Sequence, residues 1–513
     1  MAELKGEEKV VPVIQEGIII ASTGVSQASM SFVDTMRTAS VADADAETAK
    51  KASFLGEGPL GKTIWSLTWP DFIGKIVQAL YVMIDAVYIG NMAGNNQKEK
   101  SLSLASCTLA MPIDQLFHIA IGLLIGVGTS AVYGQFLGKG DTRRARAIIG
   151  NMYFLCIFFG VVYPFIGYFL RDWLLILAGA SVEDGTLPLA QIYITPLMFG
   201  SILTFLAISH NNSIRGEGNS QYSAFSMFCG AVANIILDPI CIRMTGNSIR
   251  GAAFATLTGN GITAVMGIVY YLTGHGAVHL KLSDFKPRWD VIKDILNVGV
   301  SGIISSASGS IVSLIMNNLL LKYSAKNFNS LQITEILAVV GACGKFSFFC
   351  FMPMMSLAHG CLPILSFCYG AKKHNRFMNT MKIQFFFEIL MGLLLVVVGS
   401  FAGKYLAAMF SSSLFFEKVF EESLRYTTSG LVYNAFTMSI FPALQASGRG
   451  LPSAIILFLK QLVFLLAFAQ LFCALLQDWW GNMYSYPLAE VMGAVLSIIA
   501  FFIYKDVFTG KKE

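Results

Sequence analysis

The sequence predicts an all-α polytopic membrane protein, with twelve transmembrane helices in two six-helix lobes related by a parallel repeat. Three observations predict it. The first is composition: of 513 residues, 55% are hydrophobic and 13% charged, with mean hydropathy +0.63. A soluble domain carries about 25% charged residues, so the solvent implied here is lipid. The second is apolar runs. A helix needs about 20 apolar residues to cross a bilayer. Such runs fall at roughly 62–93, 103–133, 147–170, 187–212, 222–243, 251–274, 289–322, 333–366, 381–402, 424–446, 452–476 and 485–505. The third is an internal echo. GQFLGKGDTRRA (134–145) closes the second run and SFCYGAKKHNRF (366–377) closes the eighth, 232 residues later. IRGEGNSQYSA (214–224) and LQASGRGLPSA (444–454) follow the fourth and tenth runs at nearly the same offset. Parallel repeats of this kind mark secondary transporters, with the substrate path between the halves.

Residues 1–58 differ from all that follows, with nine acidic residues against five basic ones. VVPVIQEGIII is too short and too acid-flanked for a signal peptide, so the segment reads as a flexible cytoplasmic tail. The N-lobe is then 59–285 and the C-lobe 286–505, joined by a basic loop, with 506–513 a short C-terminal tail. The loops after spans 2, 6 and 8 hold four Lys or Arg each. The positive-inside rule places both termini in the cytoplasm and accounts for the net charge of +5 without nucleic acid. The nine cysteines lie mostly inside apolar runs, where they act as small core hydrophobes, and no metal-binding spacing is present.

GEGPLGKT (56–63) fits the phosphate-binding G-x-x-x-x-G-K-[ST] pattern letter for letter. That loop needs a strand before it and an α/β domain around it. Here TAKKASFL precedes it and a membrane span follows. The match reads as accidental, with Lys62 an interfacial anchor, Pro59 and the glycines a hinge, and no ATP bound.

A charge at the bilayer centre costs about 2.5–3.5 kcal/mol on insertion scales, so intramembrane acids are functional candidates. Span 1 contains Asp85. Span 5 contains Asn234 and Asp238, four apart and so on one helix face. Thr256 stands near the start of span 6. With spans 1 and 5 running outward and span 6 inward, Asp85, Asp238 and Thr256 fall in the outer third of the same half. Oxygen groups at one depth suit a small cation or a shared proton. Pro239 leaves the Ile235 carbonyl without its helical partner, and Pro70 does the same to Ser66; each is a candidate helix kink. Bland alternatives exist: Asp85 reaching headgroup water, Asn234 bonding between helices, Thr256 bonding back to its own helix.

Asp114, Lys345, Glu388, Lys460 and Glu490 also lie in or near spans, with no partner evident in sequence. Lys460 and Glu490 either line a substrate path in the second half or snorkel to the interface. His118 and His210 read as packing residues. No H-E-x-x-H or G-x-S-x-G signature is present, which argues against an enzyme.

Taken together, Pro70 with Asp85 fifteen residues on, GQFLGKGDTRRA, IRGEGN, NIILDPI and GAAFAT resemble the multidrug and toxic compound extrusion (MATE) family over residues 60–505, with weaker echoes in CLPILSFCYGAKK and LQASGRG. The resemblance implies a V-shaped pair of six-helix lobes that export organic cations against an inward flow of Na⁺ or H⁺. It implies that Asp85, Asn234, Asp238 and Thr256 form the coupling site. It also implies a plasma-membrane monomer acting on small molecules, with no cofactor beyond the coupling ion and no other metal. The rival reading is a flippase for a lipid-linked precursor of the same superfamily. The acidic tail and Phe-rich spans depart from a minimal member.

Overall fold

The computed structural model describes residues 51, 53–92, 97–183, 185–407 and 414–511. The described residues form helices and connecting turns, with no strand. In the first half these are α1 (Leu60–Met92), α2 (Gln97–Ile113), α3 (Ala120–Gly138), α4 (Thr142–Leu177), α5 (Thr186–Phe199), α6 (Ser201–Gly216), α7 (Ser220–Thr245) and α8 (Ser248–Leu272). The second half follows with α9 (Trp289–Asn327), α10 (Ser330–Gly370), α11 (His374–Phe401), α12 (Gly403–Ala407), α13 (Leu414–Ser429), α14 (Leu431–Ala446), α15 (Gly450–Phe458), α16 (Leu465–Leu476) and α17 (Trp480–Phe508). Two wide π-helical turns interrupt spans, Asp114–Ile119 between α2 and α3 and Leu459–Phe464 between α15 and α16.

Among the described residues, nine helices are long and apolar enough to cross a membrane, or ten spans if α5 and α6, bent by 60° at Gly200, count as one. The two remaining expected spans also fall on helices: α1, and α13 with α14. The outside of the bundle is apolar, with Phe169, Leu272, Phe401 and Phe502 exposed, as lipid contact requires. Both Pro70 and Pro239 lie inside helices that run on unbroken.

The repeat is visible in the backbone. Span 2 ends through Gly140 at φ 71°, and 232 residues later span 8 ends through Lys372 at φ 57°. Gly218 (φ 92°) and Gly448 (φ 77°) close spans 4 and 10 in the same way. The left-handed conformation turns the chain sharply out of one helix into the next. In the first half, Asp141 and Asn219 then cap α4 and α7 by accepting from the Arg144 and Tyr222 amides at 2.9 and 3.1 Å.

These turns, the 273–288 loop and the C-terminal Thr509–Gly510 turn gather at one end, here called the basic end. The halves meet there along α3, which lies against the start of α9 and the last turns of α10. The seam is made by glycines: a Cβ on Gly128 would strike the Ile295 carbonyl oxygen, one on Gly299 the Leu124 oxygen, one on Gly138 the Phe367 oxygen, and one on Gly370 the Gln135 oxygen. Small residues at such crossings let helix backbones approach closely. Gln135 adds a bond across it, donating to the Ala446 carbonyl at 2.9 Å.

The expected tail lies outside the described residues up to position 50, but its last stretch is docked. Residues 53–56 are helical and Leu55 is buried against Gly218. Arg376 of the second half donates to the Leu55 carbonyl at 3.0 Å and the Gly58 carbonyl at 2.7 Å. On the other side, Lys51 pairs with Glu217 of the first half at 2.8 Å. The GEGPLGKT stretch is thus held by both halves. The amides of Glu57 and Gly58 both donate to the Ser53 carbonyl, so they are committed to a helix end and form no phosphate cradle.

Candidate functional site: orphaned oxygens in the first half

Helices α1, α7 and α8 pack side by side and bring the four sequence-predicted site residues to one neighbourhood. Gly230 of α7 and Gly259 of α8 lie face to face: a Cβ on either would stand 2.7 Å from the carbonyl oxygen of the other. One turn further, the Asn234 amide donates to the Thr256 hydroxyl at 3.4 Å. Asp238, one turn beyond Asn234, is fully buried. Asp85 of α1 is half-buried and close enough to Asp238 for the two charges to interact.

These groups share an unmet demand. Both carboxylate oxygens of Asp238, the Asn234 carbonyl oxygen and one oxygen of Asp85 are buried without a hydrogen-bond partner among the described residues. Buried polar atoms in folded proteins are nearly always paired, and two unpaired carboxylates within electrostatic reach of one another add repulsion to lost solvation. A cation among them, or a proton on one of them, resolves both problems. The donor set of two carboxylates, an amide oxygen and a hydroxyl is all oxygen, as a hard cation prefers. Beside it, Gln78, Tyr81, Asn211, Asn260, Asn234 and Thr256 line a cavity of about 70 Å³. It lies against α6, the inner part of the bent span 4, and in transporters such discontinuous helices build binding sites.

At the repeat positions the second half has no counterpart. In place of Asp85, Asn234 and Asp238 stand Asn317, Phe464 and Phe468, and the two phenylalanine rings stack at 6.3 Å. Instead, the second π-turn turns Lys460 inward. Its ammonium lies 2.6 Å from Glu490 of α17 and donates to Asn434 of α14 at 2.9 Å. Lys460 is buried, so it does not snorkel. Glu388 of α11 is also fully buried in this half, and both its oxygens lack hydrogen-bond partners among the described residues.

Two buried clusters escape the sequence reading. Asp71, the residue after Pro70, accepts from Arg215 at the end of α6 and from Lys75 one turn along α1. Lys75 reaches across to Ser356 and His359 of α10 at 3.2 and 3.1 Å. This network ties the halves together inside the cleft. The second cluster surrounds Glu217, which accepts from Tyr133 at 2.8 Å, from Tyr270, and from the Ala277 amide at 2.8 Å, besides Lys51. The signal for the first was present as D-x-x-x-K inside an apolar run. Arg215 and Glu217 were hidden inside IRGEGN, which reads as a loop end.

The MatE family model matches residues 70–240 and 303–471, one match in each half. The chain belongs to the MatE family. Among curated relatives, the multidrug export protein MepA of Staphylococcus aureus (strain MRSA252) is 22% identical over 459 residues, covering 89% of this chain and 96% of MepA. The MepA of Staphylococcus saprophyticus is also 22% identical, over 448 residues and 94% of its length. Among solved structures, MATE in its straight conformation aligns with TM-score 0.80 at 23% identity over 90% of this chain. A MOP superfamily transporter from Pyrococcus furiosus, described as having a binding pocket of reversed polarity, aligns with TM-score 0.79 at 24% identity. An outward-facing MATE multidrug resistance transporter aligns with TM-score 0.78 at 25% identity. The two-lobe MATE fold expected from the repeat is therefore the fold of this chain.

Proposed function

We propose that this MatE-family chain is a secondary antiporter that exports small organic cations in exchange for H⁺ or Na⁺, with Asp85, Asn234, Asp238 and Thr256 as the coupling site. The observation that carries this reading is the cluster of orphaned oxygens from Asp85, Asn234 and Asp238, which brings two carboxylates and an amide oxygen together in the first half. A transporter needs its coupling ion bound once per cycle, in a site that water reaches from each side in turn. Family membership and relatives named as multidrug exporters support efflux over flipping of a lipid-linked precursor. The basic end is the cytoplasmic end by the positive-inside rule. With the lobes closed there by the glycine seam, the cleft faces outward, and the chain sits as a monomer in the plasma membrane. The reading requires neither ATP nor nucleic acid.

The test is ethidium efflux from proteoliposomes, with Na⁺ and pH gradients imposed separately. Wild-type protein is expected to respond to at least one gradient, and Asp85→Asn and Asp238→Asn to neither. Wild-type rates in both variants would refute the assignment.

A further inference from the structure

The repeat that sets the glycine seam also places two arginines beside it at the basic end. Arg144 is the third residue of α4 and Arg376 the third residue of α11, at the same 232-residue offset. Each reaches across the seam to the other half. The Arg144 guanidinium donates to Asp294 at 3.2 Å and lies 3.5 Å from Asp290, both in the first two turns of α9. Arg376 donates to the Leu55 carbonyl at 3.0 Å and the Gly58 carbonyl at 2.7 Å, just ahead of α1. Helix α9 is the repeat of α1, and Gly58 is the repeat position of Asp290. One contact is therefore made twice: an arginine opening one half's third span grips the entry to the other half's first span.

The two grips differ in what they hold. Arg144 finds carboxylates, in a pair that is partly exposed on both sides. Arg376 finds backbone, because Gly58 offers no side chain. Pro59, four residues after Leu55, has no N–H to give the Leu55 carbonyl, and the planar guanidinium supplies donors to that carbonyl and to Gly58 at once. Lys373 joins it, donating to the Gly56 carbonyl at 3.3 Å and pairing with Glu57 at 3.2 Å. Gly56 also lies against the second half, where an added Cβ would stand 2.8 Å from the Phe367 ring. The other end of this segment belongs to the first half. Lys51 donates to buried Glu217 at 2.8 Å, to the Tyr270 hydroxyl at 2.9 Å and to the His275 carbonyl at 2.6 Å. Leu55 is buried against Gly218, and the chain then runs straight into α1.

We propose that Arg144 and Arg376 are paired latches that hold the basic end closed, and that residues 53–58 are the strap the second latch grips. This rests on the antiport reading, in which the lobes part at that end. The strap is anchored in the first half by buried groups and by its continuity with α1, so on opening it stays with that half. The bonds from Arg376 and Lys373 are the ones that break, as Arg144 leaves Asp294. Every group so freed lies at the end of the bundle, where water replaces the lost partner, and this keeps the latches reversible. The glycines set how closely the lobes approach; the arginines set how firmly they stay closed.

The test is the distance between spin labels at Lys139→Cys and Lys372→Cys, one on each lobe, in full-length protein without its native cysteines, substrate or gradient. Arg144→Ala removes an exposed ion pair and should raise the ratio of open to closed form about 1.5- to 5-fold. Arg376→Ala removes two charge-assisted bonds and should raise it about 10-fold or more. The double variant should exceed either. Arg144→Asp should open further than Arg144→Ala, and combining it with Asp294→Arg should close the end again, a recovery that a merely structural role would not give. If Arg376→Ala fails to fold, Arg376→Lys keeps the charge but cannot serve two carbonyls in one plane, and should open partway. Arg425→Ala loses a pair confined to one helix and should keep wild-type distances. Wild-type distances in the double variant, or no recovery on the charge swap, would overturn the proposal. Failure of the antiport reading looks different: wild-type efflux would ignore both gradients while the arginines still set the distances.

Discussion

Gly370→Ala should hold the lobes apart at the basic end. The Cβ it adds would be driven into the Gln135 carbonyl oxygen, a backbone atom of an opposing helix that cannot rotate aside. Ordinary carbon contacts begin near 3.5 Å, so α3 and α10 must part by about an ångström or more at that point. In a packed core, adding one such group costs about 1–3 kcal/mol. On the antiport reading this seam lies between lobes that separate during transport, so the strain should be relieved by opening rather than by unfolding. A bias of about 1–3 kcal/mol shifts a two-state equilibrium roughly 5- to 150-fold toward the form open at the basic end. Gly128→Ala meets the Ile295 oxygen in the same way. Gly309→Ala and Gly341→Ala are matched controls, since an added Cβ meets nothing within 4 Å at either position.

The assay is electron–electron resonance between spin labels at Lys139→Cys and Lys372→Cys, one on each lobe, in a background lacking the native cysteines. Gly370→Ala and Gly128→Ala should populate longer distances and slow ethidium efflux, while both controls keep wild-type distances and rates. Unchanged distances in Gly370→Ala, with wild-type efflux, would refute the seam as the closing surface.

The first-half site has its own internal control. Asp238→Asn and Asn234→Ala should abolish gradient-driven efflux and Thr256→Ala weaken it, whereas Asn317→Ala and Phe468→Leu, at the repeat positions, should cost far less; equal losses in both halves would make the cluster structural. Lys62→Ala should leave efflux intact and the purified protein without ATPase activity, since the Glu57 and Gly58 amides already serve the Ser53 carbonyl. Lys460→Met strands a buried carboxylate at Glu490, which should cost about 3–5 kcal/mol of stability; Lys460→Met with Glu490→Gln should recover much of it, as read by thermal unfolding.

The spans, the repeat and the four oxygen-bearing residues were legible because each follows from a local rule. Lipid demands apolar runs of fixed length, and acids inside them are conspicuous. Asn234 and Asp238 share a face by helical period alone, and the depth argument brought Asp85 and Thr256 to their level. Beyond the D-x-x-x-K of Asp71 and Lys75, the Asp71–Arg215–His359 network was not legible, because its members come from α1, α6 and α10 and only tertiary packing brings them together. The same holds for Lys460 with Glu490, and for Arg376 reaching the Leu55 carbonyl. The His118–Asp114 bond was not legible for another reason. A lone histidine in an apolar run looks like packing, as its contacts with Tyr163 and Phe205 bear out, and nothing in the sequence announces the π-turn that bonds it to Asp114.

The repeat shows where function has been added to the shared scaffold. Features needed to build a six-helix lobe recur at the offset: the left-handed turn at Gly140 and again at Lys372, the one at Gly218 and again at Gly448, and the glycine crossings of α3 with α9 and α10. Lys372 is telling, because a non-glycine residue there accepts a costly φ to preserve the turn. What does not recur at the offset is the placing of the buried charges. The first lobe holds Asp85, Asp238 and the Asp114–His118 pair; the second holds a lone buried Glu388 on α11, a Lys460–Glu490 pair that neutralises itself, and a Phe464–Phe468–Phe472 stack where the Asn234 and Asp238 counterparts would be. If the first-lobe acids served packing, the second lobe would face the same packing problem without them. It solves that problem with phenylalanine. On the antiport reading, the clustered Asp85 and Asp238 serve a task done once per molecule, and binding one coupling ion per cycle is such a task.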